Sequence, residues 1–176
     1  MIQKFENIKL IISDVDGVWT DGSFYKGTAG YEFKKFSVHD GVGVAMARAA
    51  ELKVALISGR YSDATKFRAD ELKITDLYNG GLNKIPAYEE LKEKYKLEDS
   101  EIAYLGDDLI DIPVMNKVGF PIAVSNAITE VKDISVFVTA ARGGEGAFRE
   151  AVDWIISGKN IKDLVLKRMR KKILSD

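Results

Sequence analysis

Two aspartates separated by one residue follow an apolar run near the start of the chain. Residues 9–13 lead directly into Asp14, Asp16 and Gly17. The apolar run predicts a strand buried on both faces of a parallel sheet, and ligands bind where such strands end. Because two like charges this close repel, they predict a shared proton or a cation, most simply Mg²⁺, which prefers carboxylate and phosphate oxygens. Aspartates that only shape a turn or cap a helix are the alternative.

Further polar groups follow three later apolar runs. Ser58 ends the first run, Lys84 lies in the loop beyond the second, and the third leads into Asp107, Asp108 and Asp111. The carboxyl ends of parallel strands lie on one side of a sheet, so we expect these groups in one crevice with the first aspartate pair. Such a set of groups favours phosphoryl transfer, in which catalysis is mainly positioning and charge stabilisation.

The order of these motifs resembles the haloacid dehalogenase-like phosphatase superfamily over essentially the whole chain. The matching features are the DxDG stretch, the serine, the lysine and the GDDxxD stretch. The resemblance implies that Asp14 attacks phosphorus to form an aspartyl-phosphate and that Asp16 is the general acid and base. It also implies that Ser58 and Lys84 hold the phosphoryl oxygens. Out of that context, Ser58 is equally typical of a helix cap and Lys84 of a solvated loop.

The same resemblance implies a Mg²⁺ site. The expected ligands are Asp14, Asp107 and the backbone carbonyl of Asp16. Asp108 and Asp111 are expected to support or orient these ligands. Asp111 is the member of this set for which a purely structural role is the strongest alternative.

Apolar runs alternate with amphipathic segments throughout the 176 residues. This alternation predicts one α/β domain over residues 1–176, a three-layer α/β/α sandwich around a mostly parallel, Rossmann-like sheet. The resemblance implies that this sheet is of the haloacid dehalogenase type. Asp40 is the expected N-cap of a helix that reaches about residue 52. A basic amphipathic helix is expected over about residues 160–174, docked on its own or a neighbouring subunit. Membrane-surface or nucleic-acid binding by this helix is the alternative.

Residues 23–38 predict a protruding β-hairpin in the place where many superfamily members carry a cap domain. Aromatic residues alternate with polar ones on both sides of a glycine-bounded turn at residues 27–30. An isolated two-stranded hairpin is marginally stable in water. We therefore expect this hairpin to pack over the active site or against copies of itself.

A narrower resemblance is to the family of 3-deoxy-D-manno-octulosonate 8-phosphate (KDO 8-phosphate) phosphatases. It is carried by the missing cap, the DVDGVWTDG opening, the ISGR stretch and the late GGEGAFRE loop. It implies phosphate release in lipopolysaccharide precursor synthesis, by a homotetramer whose subunits cover one another's active sites. Arg60, with Thr20 and Gly59, is the expected contact for the substrate's anionic groups. An ion pair with an acid of its own helix is the alternative for Arg60.

Four residues near these motifs receive no firm role. Arg142 and Arg149 flank the glycine-rich loop and are weaker candidates for binding anionic groups. Trp19 stands where the family usually has a smaller apolar residue, and His39 where an arginine is common. His39 is expected in a loop or an interface rather than in catalysis.

The composition excludes several classes of function. The net charge of −1 gives no overall attraction to nucleic acid or membranes. The chain has no cysteine and one histidine, so disulfides, zinc–thiolate sites and cysteine nucleophiles are excluded and a Ser-His-Asp triad is disfavoured. No signal pattern is present, and no apolar run approaches the roughly 20 residues of a membrane span. We therefore expect a cytoplasmic protein.

Two other functions remain open from the sequence. The same chemistry would serve a different small phosphate ester, such as a sialic-acid-type 9-phosphate. A non-catalytic oligomeric or regulatory module is the second alternative, since receiver domains also gather acids at strand ends. Receiver domains place their phosphorylated aspartate after the third strand, however, and here that strand leads into Asn79, Gly80 and Gly81.

Overall fold

The computed structural model describes residues 4–174 and has a central sheet of six parallel strands. In chain order these strands are β1 (Leu10–Ser13), β4 (Lys53–Ser58), β5 (Asp76–Asn79), β6 (Ile102–Gly106), β7 (Phe120–Ala123) and β8 (Phe137–Val138). Their order across the sheet is β5-β4-β1-β6-β7-β8. Every pair in this sheet is parallel, so the predicted α/β class is confirmed. Strands β1 and β6 are buried at every position, as expected for the middle of a covered sheet.

Helices cover both faces of the sheet. They are α1 (Val38–Ala49), α2 (Asp63–Glu71), α3 (Ile85–Tyr95), α4 (Ile112–Met115), α5 (Thr129–Asp133), α6 (Ala147–Gly158) and α7 (Lys162–Ile173). Helix α1 packs against α6 and α7, while α3 packs against α4. Short 3₁₀ turns lie at Phe5–Asn7, Asp99–Glu101 and Leu109–Asp111. Within residues 4–174, no helix combines the length and apolar character needed to cross a bilayer.

The predicted hairpin is present as β2 (Tyr25–Lys26) and β3 (Glu32–Phe33), which pair antiparallel. Its aromatic residues at positions 25, 31 and 33 are exposed. The polar side chains of Glu32 and Lys34 point the other way, towards the body of the same chain, where they form ion pairs. These two ion pairs anchor the hairpin on the domain, whereas the aromatic side chains at positions 25, 31 and 33 remain exposed.

Asp40 differs from the sequence prediction. Helix α1 starts earlier, because the Ser37 hydroxyl caps it by accepting the backbone N–H of His39. Asp40 lies within α1, fully buried, and its Oδ1 accepts the backbone N–H of Arg149 at 3.0 Å. Helix α6 follows Gly146, which offers no capping side chain, so an acid of α1 satisfies the start of α6. Sequence reasoning assigned the right role to Asp40 on the wrong helix.

We expect Asp40→Ala to lower the free energy of unfolding by about 1–3 kcal/mol, because it leaves a buried N–H of α6 without its acceptor. Urea denaturation would measure this loss. Asp163→Ala, at an exposed position in the first turn of α7, is the matched control and should change stability little. Equal stability of the two variants would contradict the assigned capping role.

Candidate active site

Strand β1 delivers Asp14 to the carboxyl edge of the sheet, where it is nearly fully buried. The ammonium group of Lys84, at the start of α3, lies 2.8 Å from Asp14 Oδ1 and 2.6 Å from Asp111 Oδ1. All three side chains are at most 5% exposed. A buried lysine is costly unless it is paired, so these contacts fix the position of the Asp14 carboxylate.

Asp111 is the centre of the hydrogen-bond network below the site. Its Oδ1 accepts the Tyr104 hydroxyl at 2.7 Å as well as the Lys84 ammonium. Its Oδ2 accepts the backbone N–H groups of Asp107 at 2.9 Å and Asp108 at 3.2 Å. Asp111 thereby sets the path of the loop that carries the other acids. The structure thus gives Asp111 a larger part than the sequence suggested.

Asp107 faces Asp14 across a narrow gap. Carboxyl oxygens of Asp14, Asp107 and Asp111 lie within 4.8 Å of one another. Gly17 makes room for Asp107, because a Cβ on Gly17 would lie 1.9 Å from Asp107 Oδ2, and its φ of +88° also favours glycine. Asp107 Oδ1 is buried and has no hydrogen-bond partner among the described residues. Asp108 is exposed instead and caps the 3₁₀ turn that follows it.

A small cavity of about 190 Å³ opens above these carboxylates. Its lining joins the two aspartates of the first motif to residues from four other segments: Gly22 and Phe24, Gly59 and Arg60, Leu82, and Asp107, Asp108 and Ile110. The structure therefore brings the first predicted motif, with Asp14 and Asp16, and the last, with Asp107 and Asp108, to the same cavity. Ligand pockets commonly measure roughly 300–1,000 Å³, so this cavity alone is small for a sugar acid.

Four predicted site residues lie outside the cavity lining: Lys84 and Asp111, which lie below it, and Ser58 and Thr20. Ser58 ends β4 almost wholly buried, and its hydroxyl donates to the carbonyl of Arg60 at 2.9 Å. Thr20 is fully buried, and its Oγ1 accepts the N–H groups of Gly17 and Gly22, each at 3.2 Å. Thr20 thus holds the loop after β1 in shape, in place of the predicted substrate contact.

Arg60 reaches the cavity but is already paired. Its guanidinium makes a two-pronged contact with the Glu32 carboxylate of β3 and lies 4.1 Å from the centroid of the Phe24 ring. The partner belongs to the hairpin rather than to the residue's own helix, which corrects the alternative considered for Arg60. Ser62 donates to the same carboxylate at 2.8 Å. The pKa of Glu32 is lowered to about 2, and the main cause is the hydrogen bond from Arg60.

Asp16 is paired with a second residue of the hairpin. The ammonium group of Lys34 lies 2.6 Å from Asp16 Oδ1, and the Lys34 side chain is fully buried. The same ammonium donates to Thr65 Oγ1 at 3.1 Å. Asp16 and Arg60, which line the cavity, are therefore both held by the hairpin of their own chain.

Comparison with known proteins agrees with this geometry. A family model described as haloacid dehalogenase-like hydrolase matches residues 55–149. The chain is 44% identical over 156 residues to the 3-deoxy-D-manno-octulosonate 8-phosphate phosphatase KdsC of Escherichia coli (strain K12). The matched region covers 89% of this chain and 83% of that protein. The chain belongs to the haloacid dehalogenase-like hydrolase family.

Two solved structures give the same result for the fold of this haloacid dehalogenase-like hydrolase. The 3-deoxy-D-manno-octulosonate 8-phosphate phosphatase from Yersinia pestis is 42% identical with a TM-score of 0.87, over 90% of this chain and 86% of that one. The phosphatase of the same name from Moraxella catarrhalis, solved with magnesium ion, phosphate ion and KDO, is 35% identical with a TM-score of 0.90, over 95% and 96%. The predicted family and fold are thus confirmed.

The acidic cluster of this hydrolase fits a hard divalent cation. Three carboxylates face one ammonium group, and one carboxyl oxygen has no partner among the described residues. Burial, followed by repulsion from Asp111, raises the pKa of Asp14 to about 7. Burial, Asp14 and Asp111 raise the pKa of Asp107 to about 8. For Lys84, burial acts against the charged form, but Asp14 and Asp111 outweigh it and raise the pKa.

Three residues of the site were missed by sequence reasoning. Glu32 and Lys34 belong to the hairpin, and their only sequence signal is the polar side of its alternating pattern. Asn126 joins two loops, because its Nδ2 donates to the Gly17 carbonyl at 3.0 Å and its Oδ1 accepts the N–H of Gly143 at 2.6 Å. No local pattern marks Asn126, since its partners are distant in sequence.

The residues without a firm role are dispersed around the site. Trp19 is buried, donates to Ser13 Oγ at 3.0 Å and packs its ring against Phe148 with centroids 4.5 Å apart. His39 and Arg142 are exposed. Arg149 pairs with Asp153 of its own helix at 2.8 Å. Trp19 is therefore part of the core rather than of the cavity.

The raised pKa values predict how pH and Mg²⁺ affect stability. Without metal, the folded protein holds protons on Asp14 and Asp107 above the ordinary pKa of 3.8, so its unfolding free energy falls as pH rises towards about 8. Metal ligation needs the deprotonated carboxylates. We therefore expect Mg²⁺ to raise the thermal midpoint more at about pH 8 than at about pH 5.5.

Differential scanning calorimetry with Mg²⁺ and with EDTA would test this expectation. Asp107→Asn should remove most of the Mg²⁺ effect, whereas Asp133→Asn, at an exposed position of α5, should keep it. A Mg²⁺ effect that is equal at both pH values would contradict the assignment of these carboxylates to a metal site.

Proposed function

We propose that this hydrolase is a Mg²⁺-dependent phosphatase that removes phosphate from KDO 8-phosphate to give KDO and inorganic phosphate. The observation that carries the reaction type is a buried nucleophile candidate, Asp14, fixed by Lys84 beside an acidic cluster at the carboxyl edge of the sheet. The support for the substrate is the 44% identity to KDO 8-phosphate phosphatase and the likeness to a structure solved with magnesium, phosphate and KDO.

In the proposed reaction, Asp14 attacks phosphorus and Asp16 gives its proton to the departing sugar oxygen. Asp16 then takes a proton from the water that attacks the aspartyl-phosphate, and the Asp14 carboxylate leaves. Lys84 compensates charge on the phosphoryl oxygens, since it already faces Asp14 at 2.8 Å. Ser58 is assigned to the same phosphoryl group, which requires its hydroxyl to turn from the carbonyl of Arg60.

The metal would be held by Asp14, Asp107 and the backbone carbonyl of Asp16, with Asp111 and Asp108 shaping the loop around them. Bound there, Mg²⁺ would neutralise negative charge on the phosphoryl oxygens. Arg60 and Gly59 line the cavity and would face the rest of the sugar acid. Because Glu32 occupies one edge of the Arg60 guanidinium, its remaining N–H groups are those available to a substrate carboxylate.

A panel of phosphate esters tests this proposal. We expect preferred turnover of KDO 8-phosphate over sialic acid 9-phosphate and common sugar phosphates, and its loss in EDTA. Asp14→Asn should lower kcat on the order of 10³-fold or more, because it removes the nucleophile. Asp133→Asn, the exposed control, should match wild type.

The outcomes separate the candidate functions. Preference for another ester with the same dependence on Mg²⁺ and Asp14 would keep the phosphatase and discard the substrate. No metal-dependent turnover of any ester would overturn the enzyme and favour a non-catalytic module.

The proposal includes a homotetramer in the cytoplasm, assembled through the hairpins. Tyr25, Tyr31 and Phe33 of the hairpin and Phe67 of α2 are 64–75% exposed, and such aromatic surfaces mark interaction sites. The cavity of one chain is small, which fits a site completed by neighbouring copies. The sugar-acid phosphate is the proposed small-molecule partner.

We expect Phe33→Glu to convert the tetramer to smaller species, because it places a charge on this aromatic surface. Light scattering coupled to gel filtration would measure the molar mass. Val136→Glu, an exposed apolar position next to edge strand β8, is the control. A tetramer that survives Phe33→Glu, or a monomeric wild type, would remove the hairpins from the proposed interface.

A further inference from the structure

The side chain of Lys34 is fully buried although it directly follows strand β3 of a largely exposed hairpin. Its ammonium group lies 2.6 Å from Asp16 Oδ1 and donates to Thr65 Oγ1 at 3.1 Å. Its neighbour Lys35 is exposed. Burying an ammonium group is costly unless a charge compensates it. The burial of Lys34 therefore depends on Asp16, and the position of Asp16 depends on Lys34.

The far end of this contact is rigidly supported. Thr65 is buried in the first turn of α2, and its backbone N–H is bound by the capping hydroxyl of Ser62. Ser62 in turn donates to Glu32, two residues before Lys34. Lys34 is thus held between the start of α2 and the loop after β1. An ammonium group fixed on two sides restricts where the Asp16 carboxyl can go.

The contact leaves both carboxyl oxygens of Asp16 buried, although Asp16 lines the cavity. It is a close ion pair rather than an aligned hydrogen bond, because neither Asp16 oxygen has a well-directed hydrogen-bond partner among the described residues. A carboxyl whose oxygens make no directed hydrogen bond keeps its lone pairs free to accept a proton, and in its protonated form its O–H is free to donate one. This is the property that a general acid and base requires.

We propose that Lys34 is the positioning residue that holds Asp16 where its carboxyl reaches the leaving oxygen of the substrate. The inference rests on the proposed phosphatase function and extends it to a residue of the hairpin. When the P–O bond to the sugar breaks, the electron pair goes to the sugar oxygen and the Asp16 proton follows it. Lys34 then faces the Asp16 carboxylate, which regains a proton from the attacking water in the second half of the reaction.

The competing explanation is that Lys34 only pins the hairpin to the domain. The two explanations differ in how the effect depends on the leaving group. A sugar alkoxide needs a proton as it leaves, whereas 4-nitrophenolate leaves without one. Loss of general-acid positioning therefore spares 4-nitrophenyl phosphate, while a disordered hairpin slows both esters alike. The ratio of the two kcat/KM values measures the difference, because kcat/KM covers only the steps up to leaving-group departure.

The experiment compares wild type, Lys34→Met and Lys35→Met on KDO 8-phosphate, or on whichever sugar phosphate the wild type prefers, and on 4-nitrophenyl phosphate. For Lys34→Met we expect kcat/KM for the sugar phosphate to fall about 10- to 100-fold, part of the 10²–10⁴ that a general acid contributes. The value for 4-nitrophenyl phosphate should change less than about 3-fold, and Lys35→Met should match wild type on both. Thr65→Val should show the same selectivity with a smaller loss.

Restoring the ammonium group gives a second readout. Because the chain has no cysteine, Lys34→Cys can be alkylated at one position while unfolded and then refolded. Treatment with 2-bromoethylamine rebuilds a lysine-like side chain and should recover sugar phosphate turnover, whereas treatment with neutral iodoacetamide should not. Equal losses on both esters, or a recovery with neutral iodoacetamide as large as that with 2-bromoethylamine, would overturn the positioning role. A wild type that turns over neither ester would overturn the proposed function instead.

Discussion

The site depends on one buried cation, the Lys84 ammonium between the carboxylates of Asp14 and Asp111. These contacts join β1, the start of α3 and the loop after β6, which are distant in sequence. Removing one member of a buried ion pair typically costs about 3–5 kcal/mol, because the remaining charge stays buried without compensation. The same contacts therefore position the nucleophile candidate Asp14 and hold β1, α3 and the loop after β6 together at the carboxyl edge of the sheet.

The carboxyl groups around Lys84 outnumber the single ammonium group that faces them. Asp14, Asp107 and Asp111 together carry more negative charge than one ammonium group neutralises, and burial makes the excess costly. The protein without metal relieves that cost by raising the pKa of Asp14 and Asp107. A divalent cation relieves it in another way, by replacing those protons. The same imbalance thus favours the binding of a divalent cation.

The two faces of the hairpin carry different kinds of side chain. Its aromatic face is exposed and available to other copies of the chain, while Glu32 and Lys34 on the opposite side reach Arg60 and Asp16. Both contacts are ion pairs inside one chain, so the hairpin contributes to the site before any assembly forms. Assembly through the aromatic face would then immobilise the strand that holds these two residues. The proposed tetramer would in this way link oligomerisation to the order of the active site.

The sequence by itself indicated the fold class through its alternating segments and the family through the resemblance of its motifs. It singled out the candidates Asp14, Asp16 and Asp107 because they follow apolar runs that predict buried strands. It also located the hairpin, through aromatic residues that alternate with polar ones on both sides of a glycine-bounded turn. Only the tertiary structure decided the partners of these residues: Asp40 caps α6, Thr20 braces its own loop, and Lys34 reaches Asp16. Periodicity reports which face of an element is buried. It carries no information about which distant atom lies opposite, since that depends on how the elements pack.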